Sequence, residues 1–251
     1  MKATQCYVSK SLSGLNFADK YGLTDYVDSL SPLVIFGMYR PEDLSVYLNH
    51  KSDVILVWQG CDAKDMDPFM VEALKSRAAK HYAISHWISG ALTLHGIPHS
   101  ILPISSTENK MSVVEPGDEI YFYYSDRSDS SAEYYGLELA QEVSKATGID
   151  LIVACLDSMS KAQIMLAYAY SFINLRLTTW DGCPNTNLEI GLRGRTSVFN
   201  GMIPGSLPWN NFDDICAHVV AEYDNRSLSR AQKISESIHQ YLQIGDNWLI
   251  P

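Results

Sequence analysis

The chain has 251 residues, 46% of them hydrophobic and 11% aromatic, and it carries a formal net charge of −10. This length is enough for one large domain or two small ones with a sizeable buried core. No apolar run approaches the roughly 18 residues of a membrane span, and the first ten residues lack the apolar stretch of a signal peptide.

Because the sequence shows neither a membrane span nor a signal peptide, we expect a cytoplasmic protein. Its cysteines and its charge exclude further classes. The five cysteines are scattered, odd in number and free of C-x-x-C spacing, which argues against a disulfide framework and a structural zinc site. Lysine and arginine are sparse and spread out, whereas duplex binders carry a basic stripe. The charge pattern does not exclude a small molecule that carries phosphate as a partner.

The first half of the chain alternates short apolar runs with helical patterns. Strands are predicted over 33–37, 53–58, 81–85 and 99–104. Helices are predicted over 41–49, 67–79 and 86–95. Strands that are apolar almost throughout are typical of a parallel sheet buried on both faces by helices.

A polar segment over 105–118 ends in Pro116-Gly117 and is predicted to be a linker. The alternation then restarts, with strands over 119–124, 150–155, 172–177 and 196–199, and helices over 132–147, 159–170, 186–193, 211–223 and 228–243. The pattern predicts an α/β protein of two tandem Rossmann-like, doubly wound units that face each other across a cleft. We expect domains at 1–115 and 116–225, and a C-terminal helical segment at 226–251 that packs back on the first domain.

Ligands of such sheets bind at the carboxyl ends of the strands, which draws attention to the segment after 172–177. Asp181 follows the strand, and Glu189 comes eight positions later, in the expected first turn of the next helix. Gly182 permits close backbone approach, and a helix N-terminus attracts anions. Each acid taken alone has a simpler interpretation, as a turn residue or as compensation of the helix dipole.

The stretch from Asp181-Gly182-Cys183-Pro184 to Glu189 resembles the E-x7-E motif of the retaining GT-B-fold glycosyltransferases, with Asp181 in place of the first Glu. The resemblance implies that the first acid contacts hydroxyls of the donor sugar and that the second holds the nucleotide ribose. It also implies that the turn between them binds the donor sugar and its phosphates. The residues of that turn are Gly182, Cys183, Pro184, Asn185, Thr186 and Asn187.

A second match follows strand 119–124, where the family has a polar loop with an Arg, then a Lys, and a helix. Ser125 opens this loop and Arg127 is its cation, and arginine is well suited to recognise a diphosphate. The family's Lys has no clear counterpart here. Arg176, at the end of strand 172–177, either supplies that charge or is solvated or paired with a carboxylate such as Asp181.

The first unit, about 115 residues long, is short for the N-terminal domain of this family. Gly60 and Asp62 lie in the loop W-Q-G-C-D-A after strand 53–58, where Gly60 permits backbone approach and Asp62 offers a free carboxylate. The resemblance implies that these residues face the cleft from the acceptor side, together with His86 after strand 81–85, a catalytic candidate. The alternative for His86 is that it simply begins a helix.

The resemblance implies transfer of a sugar from a nucleotide-diphosphate donor to an acceptor hydroxyl with retained configuration, without a protein nucleophile. No D-x-D directly follows a strand, and the acidic cluster D-A-K-D-M-D at 62–67, a possible set of oxygen ligands, lacks that setting. We therefore expect independence of metal ions and no permanently bound cofactor. Two alternatives stay open: a non-catalytic relative that binds nucleotide sugars, and an α/β scaffold that recruits a protein partner. The acceptor is expected to be a saccharide or small molecule, with DNA left open as the substrate of a viral hydroxymethyl-base glycosyltransferase in a host cytoplasm. The oligomeric state is also open.

Overall fold

The computed structural model describes residues 1–64, 66–107, 111–125, 131–155 and 158–251. The chain forms two compact units. Unit 1 consists of Met1–Ser106, Asp181–Cys183 and Leu242–Pro251, and unit 2 consists of Thr107–Trp180 and Pro184–Tyr241. Within the described ranges, no helix combines the length and the apolar character needed to cross a membrane.

Unit 1 is a parallel sheet flanked by helices. Its strands are β1 (Gln5–Val8), β2 (Thr24–Asp25), β3 (Leu33–Phe36), β4 (Val54–Trp58), β5 (Lys80–Ala83) and β6 (Ser100–Ile101). Its helices are α1 (Phe17–Tyr21), α2 (Pro41–Asn49), α3 (Pro68–Lys75) and α4 (His86–Leu94), with short 3-10 turns at Lys10–Leu12, Cys61–Ala63 and Asp246–Leu249. The strands lie in the order β2-β1-β3-β4-β5-β6, and each neighbouring pair is parallel.

The two most apolar strands, β3 and β4, form the centre of the sheet in unit 1. Every residue of β3 (LVIF) and β4 (VILVW) is buried, as expected of strands covered by helices on both faces. The helices begin at residues suited to that role. Pro41 and Pro68 open α2 and α3, because proline has no N–H to leave unsatisfied in the first turn. Asp67 caps α3 by accepting a hydrogen bond from the backbone N–H of Met70.

Unit 2 has the same construction with five strands. They are β7 (Glu119–Tyr124), β8 (Leu151–Cys155), β9 (Ser171–Leu175), β10 (Thr196–Val198) and β11 (Ser206–Leu207). The helices are α5 (Ser131–Tyr135), α6 (Leu137–Thr147), α7 (Lys161–Tyr170), α8 (Asn185–Leu192), α9 (Phe212–Asp224) and α10 (Leu228–Tyr241). The strand order is β11-β10-β9-β7-β8, again with parallel pairing throughout the described strands.

The predicted fold class, two tandem doubly wound α/β units, is confirmed by these two parallel sheets with alternating helices. The helix predicted over 132–147 is divided into α5 and α6. Gly136 interrupts it at a φ of 78°, a left-handed conformation that glycine adopts without strain. A side chain is also crowded there, because a Cβ on Gly136 would lie 3.0 Å from Cβ of Leu177.

The units divide the chain differently from the predicted domains at 1–115, 116–225 and 226–251. The chain first changes unit after Ser106, and it re-enters unit 1 for Asp181–Cys183. Helix α10 belongs to unit 2, where Ser235 Oγ donates a hydrogen bond of 2.6 Å to the carbonyl of Leu192 in α8. Only the tail after it, Leu242–Pro251, belongs to unit 1. The strands β1, β2 and β11 and the helix α1 were not predicted, because they are short and only partly apolar.

Candidate functional site

The strand order of unit 2 indicates where it binds a ligand. Strand β7 lies between β8 and β9, so the order reverses at the β7–β9 pair, and doubly wound sheets bind ligands at the carboxyl ends of such a pair. Ser125 follows β7, and Arg176 follows β9. The Oγ atom of Ser125 is buried and has no hydrogen-bond partner within the described ranges. Two predicted site residues therefore lie at this position of the sheet, Ser125 for donor binding and Arg176 as a catalytic charge for the diphosphate.

The segment after β9 leads into the N-terminus of α8, which begins at Asn185 with Pro184 as its N-cap. Pro184 provides no side-chain hydrogen bond to the first turn. The backbone N–H of Asn187 is bonded to the carbonyl of Pro184 at 3.0 Å, and the side-chain Oδ1 of Asn185 accepts from Thr107 Oγ1 at 3.1 Å. A helix start without a side-chain cap directs its positive dipole end at any anion placed before it.

Glu189 lies in the second turn of α8, not in the first turn as predicted, because the helix begins one residue earlier than expected. Its Oε2 atom accepts a hydrogen bond of 2.9 Å from the hydroxyl of Tyr168. Burial raises the pKa of Tyr168 well above its usual value, and the charge of Glu189 raises it further. The hydroxyl therefore stays protonated and holds the carboxylate in one orientation.

Arg176 is buried, with its guanidinium 4.5 Å from the centroid of the Tyr135 ring. A cation over an aromatic face is attracted by the ring quadrupole. Burial raises the pKa of the neighbouring Tyr121, while Glu189 raises and Arg176 lowers it. The opposite charges of Arg176 and Glu189 thus act on the same phenol, and unit 2 brings them into one region.

The side chain of Asn187 is 2% exposed, and its Oδ1 accepts a hydrogen bond of 2.9 Å from Nδ2 of Asn174 in β9. The same Nδ2 donates to Ser197 Oγ in β10 at 3.0 Å. This buried polar group joins α8 to two strands. Among the residues predicted to bind the donor, Asn187 therefore has an evident structural role in fixing the helix on the sheet.

The predicted residues Asp181, Gly182 and Cys183 belong to unit 1. Gly182 approaches the loop after β4, because a Cβ at this position would lie 3.0 Å from Ile88 Cδ1 and 3.1 Å from the carbonyl oxygen of Gln59. Cys183 packs against the core of unit 1. Burial raises the pKa of Tyr39 far above its usual value, and Asp62, Cys61 and Asp181 raise it further. The charge of Asp181 therefore reaches the hydroxyl of Tyr39.

The expectation that Asp62 offers a free carboxylate was wrong. Asp62 is buried, and its oxygens accept hydrogen bonds from the backbone N–H groups of Met38 (3.0 Å), Gln59 (3.3 Å) and Gly60 (2.7 Å). Burial raises the pKa of Asp62 to about 6, although these hydrogen bonds oppose the shift. The residue joins the loops after β3 and β4. A sequence cannot reveal this, because the amides come from two separate loops.

Further residues predicted for the site are Gly60, His86 and Arg127. Gly60 donates its N–H to Asp62, and His86 is the exposed first residue of α4, directly after the cap Ser85. Arg127 lies outside the described residues. In the ranges that the structure describes, no group of three or more His, Cys, Asp or Glu side chains is arranged to hold a metal ion.

Sequence reasoning did not select Tyr168 or Tyr39. Tyr168 lies 21 positions before Glu189, and a tyrosine in a predicted amphipathic helix gives no sign of a partner in the next helix. Tyr39 lies three residues after the end of β3. The rule that ligands bind after strands could have pointed to it, since it is a polar aromatic residue at a strand end.

Neither the protein-family models nor the curated protein sequences contain a match to this chain. Solved structures do match. The TarM protein of S. aureus, solved with UDP, α-GlcNAc-glycerol and fondaparinux, has a TM-score of 0.64 and 11% identity over 94% of this chain and 56% of its own. A glycosyltransferase from Rickettsia africae has a TM-score of 0.60 and 11% identity, over 99% of this chain and 96% of its own. The sucrose-phosphate synthase of Thermosynechococcus elongatus has a TM-score of 0.60 and 9% identity, over 90% of this chain and 70% of its own.

The chain thus spans little more than half the length of TarM but nearly the whole length of the Rickettsia protein. At these identities the likeness establishes the fold. It is the α/β fold with two parallel sheets of the GT-B glycosyltransferases.

Proposed function

We propose that this chain is a glycosyltransferase that moves a sugar from a nucleotide-diphosphate sugar to an acceptor hydroxyl with retention. The observation that carries the proposal is the arrangement at the β7–β9 pair of unit 2. There, a helix start without a side-chain cap stands after β9, while Glu189 is oriented by Tyr168 and Arg176 lies over Tyr135. This arrangement occurs in a chain with the GT-B fold.

Each group suits one part of the donor. The first-turn amides of α8 attract the diphosphate through hydrogen bonding and the helix dipole. Arg176, and Arg127 by the family resemblance, contribute positive charge to the same diphosphate. The carboxylate of Glu189 accepts hydrogen bonds from ribose hydroxyls. The resemblance gives Asp181 the hydroxyls of the donor sugar.

In the proposed reaction, the acceptor oxygen attacks the anomeric carbon from the face that the diphosphate leaves. A bond forms between this oxygen and the anomeric carbon, and the bond from the anomeric carbon to the phosphate oxygen breaks. The electron pair stays on the diphosphate, which takes the proton of the acceptor hydroxyl. Preorganised amides and arginines stabilise the charge that develops on the leaving group, so the scheme needs no protein nucleophile and no metal ion.

A panel of nucleotide sugars in a thermal-unfolding assay tests the proposal. A donor at 100 times its dissociation constant should stabilise the protein by about 2.7 kcal/mol. The best donor is then titrated into Glu189→Ala and into Glu142→Ala, an exposed glutamate of α6 that serves as the matched control. We expect weaker binding only for Glu189→Ala. If both variants bind the donor with the same affinity, Glu189 does not hold the ribose.

Turnover distinguishes the proposed enzyme from its alternatives. Release of nucleoside diphosphate that depends on an acceptor, with an α-configured product from an α-configured donor, supports a retaining transferase. Donor binding without transfer to saccharide, small-molecule or hydroxymethylated DNA acceptors would favour a non-catalytic relative. A lack of any nucleotide-dependent shift would favour a scaffold. Loss of transfer in EDTA that magnesium or manganese restores would contradict metal independence.

A further inference from the structure

Unit 1 contains a cavity of about 480 Å³ at the carboxyl ends of β3 and β4. This volume falls within the roughly 300–1,000 Å³ that is typical of small-molecule sites. The residues that line it come from the loops after the two strands and from the starts of α2 and α3. Among them are Met38, Tyr39, Arg40, Leu44, Phe69 and Met70.

The two carboxylates of this lining differ in exposure, since Asp62 is buried and Asp67 is exposed, and each accepts hydrogen bonds from the backbone. Asp62 accepts from the N–H groups of Met38 and Gly60. Asp67 accepts from the N–H of Met70 at 2.7 Å, because it caps α3. A bound saccharide requires a side-chain partner for most of its hydroxyls, since unpaired polar groups are costly to bury. Asp62 is buried and already accepts these backbone hydrogen bonds, and Oδ1 of the exposed Asp67 is engaged as a helix cap, so the lining offers few carboxylate oxygens to a saccharide.

The rest of the lining suits an aromatic ligand. Met38 and Met70 bring thioether sulfurs, which make favourable contacts with aromatic rings. Phe69 adds a ring for offset or edge-to-face packing. Arg40 brings a cation that is attracted to an electron-rich ring, and its Nε donates a hydrogen bond of 3.1 Å to Ser11 Oγ. Pro41 and Leu44 complete an apolar wall.

We propose that this cavity is the acceptor site and that the acceptor is a flat aromatic alcohol, a phenol or a close analogue, and not a saccharide. This inference rests on the proposed transferase function. The phenolic hydroxyl of the acceptor lies at the end of the cavity that Tyr39 lines. A Cβ on Gly60 would stand 3.0 Å from the Tyr39 hydroxyl, and a Cβ on Gly182 would stand 3.5 Å from Cα of Gly60. The loop residue that the family resemblance assigns to the donor sugar is therefore close to this end of the cavity.

The loop that carries Tyr39 is held in place from two sides. Asp43, buried in α2, accepts from the N–H groups of Tyr39 and Arg40, both at 2.9 Å. Asp62 accepts from the preceding N–H of Met38. Three consecutive amides after β3 are thus bonded to two buried carboxylates. The end of the cavity is rigid, as expected of a site formed before its ligand arrives.

Binding of umbelliferone, a fluorescent phenol, to the whole chain without donor is the direct test, with methyl α-glucoside as the saccharide probe. We expect saturable binding of umbelliferone and none of the glucoside at the same concentration. Phe69→Gln and Leu44→Gln should each weaken umbelliferone binding about tenfold, as for the loss of a buried apolar side chain. Phe69 is 73% exposed in the free protein, so its replacement is compatible with folding.

Leu94→Gln is the matched control, because Leu94 is 88% exposed on α4 and does not line the cavity. It should bind umbelliferone within about twofold of the wild type, as expected of a surface change. Binding that is indifferent to the cavity variants, or preference for the glucoside, overturns the inference. Titration with UDP is run in parallel. UDP binding without umbelliferone binding defeats only the acceptor assignment, whereas umbelliferone binding without nucleotide binding defeats the transferase proposal and the acceptor role with it.

Discussion

The hydroxyl of Tyr168 in α7 donates a hydrogen bond of 2.9 Å to Oε2 of Glu189 in α8, so two consecutive helices of unit 2 share one polar contact. Tyr168 is buried and its ring packs edge-on against Tyr121, with centroids 4.9 Å apart. The tyrosine has no freedom to follow a moving carboxylate. Glu189 is therefore oriented before any ligand binds.

The first prediction concerns this contact. Tyr168→Phe keeps the ring and removes the donor, so Glu189 gains rotational freedom. We expect UDP affinity to fall about threefold to tenfold, because a hydrogen bond to a charged group contributes about 1.5–3 kcal/mol and part of it is recovered from water. Isothermal titration with UDP measures this. Tyr170→Phe, at an exposed tyrosine of the same helix, is the control and should match the wild type; equal affinities for all three proteins would contradict the prediction.

The second prediction is a pH dependence. Burial raises the pKa of Asp62 from 3.8 to about 6, so between these values the folded state holds a proton that the unfolded state has released. The contribution of Asp62 to the free energy of unfolding therefore decreases as the pH rises from about 4 to 6, by about 3 kcal/mol. Urea unfolding across this range, in the wild type and in Asp62→Asn, isolates the effect as the difference between the two proteins. A difference that is flat or rises with pH would be inconsistent with the buried carboxylate.

The third prediction concerns Arg195, which is buried and, among the residues that the structure describes, donates to backbone carbonyls of unit 2. Its partners are the carbonyl oxygens of Val114, Glu115, Ala169, Ser171 and Arg193, at 2.6 to 3.3 Å. Lysine keeps the charge but has three donors at one point instead of a planar fork. Arg195→Lys should lower the free energy of unfolding by at least about 3 kcal/mol.

The control for Arg195 is Arg193→Lys. Arg193 is half-buried and donates to the sulfur of Met165 at 3.5 Å, so this change should cost less than about 1 kcal/mol. Urea denaturation of both variants gives the comparison. If the two substitutions cost the same, the carbonyl contacts of Arg195 do not support the fold as we describe.

The fourth prediction concerns the close approach of Gly182. A methyl group there would meet the carbonyl oxygen of Gln59 at 3.1 Å, and a backbone atom yields less readily than a side chain. We expect Gly182→Ala to fold but to lower sugar transfer about tenfold, because small displacements of positioned groups are costly for catalysis. Gly90→Ala, in α4 with open space around it, should instead stabilise the protein by about 0.5–1 kcal/mol and leave transfer unchanged. Wild-type transfer by Gly182→Ala would show that the loop tolerates displacement.

Much of the fold could be predicted from local patterns. The runs LVIF and VILVW are apolar at every position, which is typical of a strand buried on both faces. Proline and aspartate before an apolar pattern indicate helix starts such as those at Pro41 and Pro68. These signals depend on neighbours in the sequence. For the same reason the short strands β2 and β11, of two residues each, escaped prediction, because their pairing partners are distant in the chain.

The site was only partly predictable. The strand–turn–helix after β9 was recognised from its residues, and the segment indeed leads from β9 into α8. The contacts that support this segment were not predicted. Tyr168 bonds to Glu189, and Asn174 bonds to Asn187, because α7, α8 and β9 pack together in the folded unit. For Asp62 the sequence indicated an available acid, whereas the folded loops engage it with amides of Met38 and Gly60.

By itself, the sequence determined the class of fold, the order of its main elements and the segment in which the two acids stand, because hydrophobic period and turn chemistry are local properties. Only the tertiary structure decided which acids are held by backbone amides, which tyrosine orients Glu189 and where unit 1 has a cavity. Those outcomes depend on groups that are far apart in the chain and that meet only when helices and loops pack on the sheets.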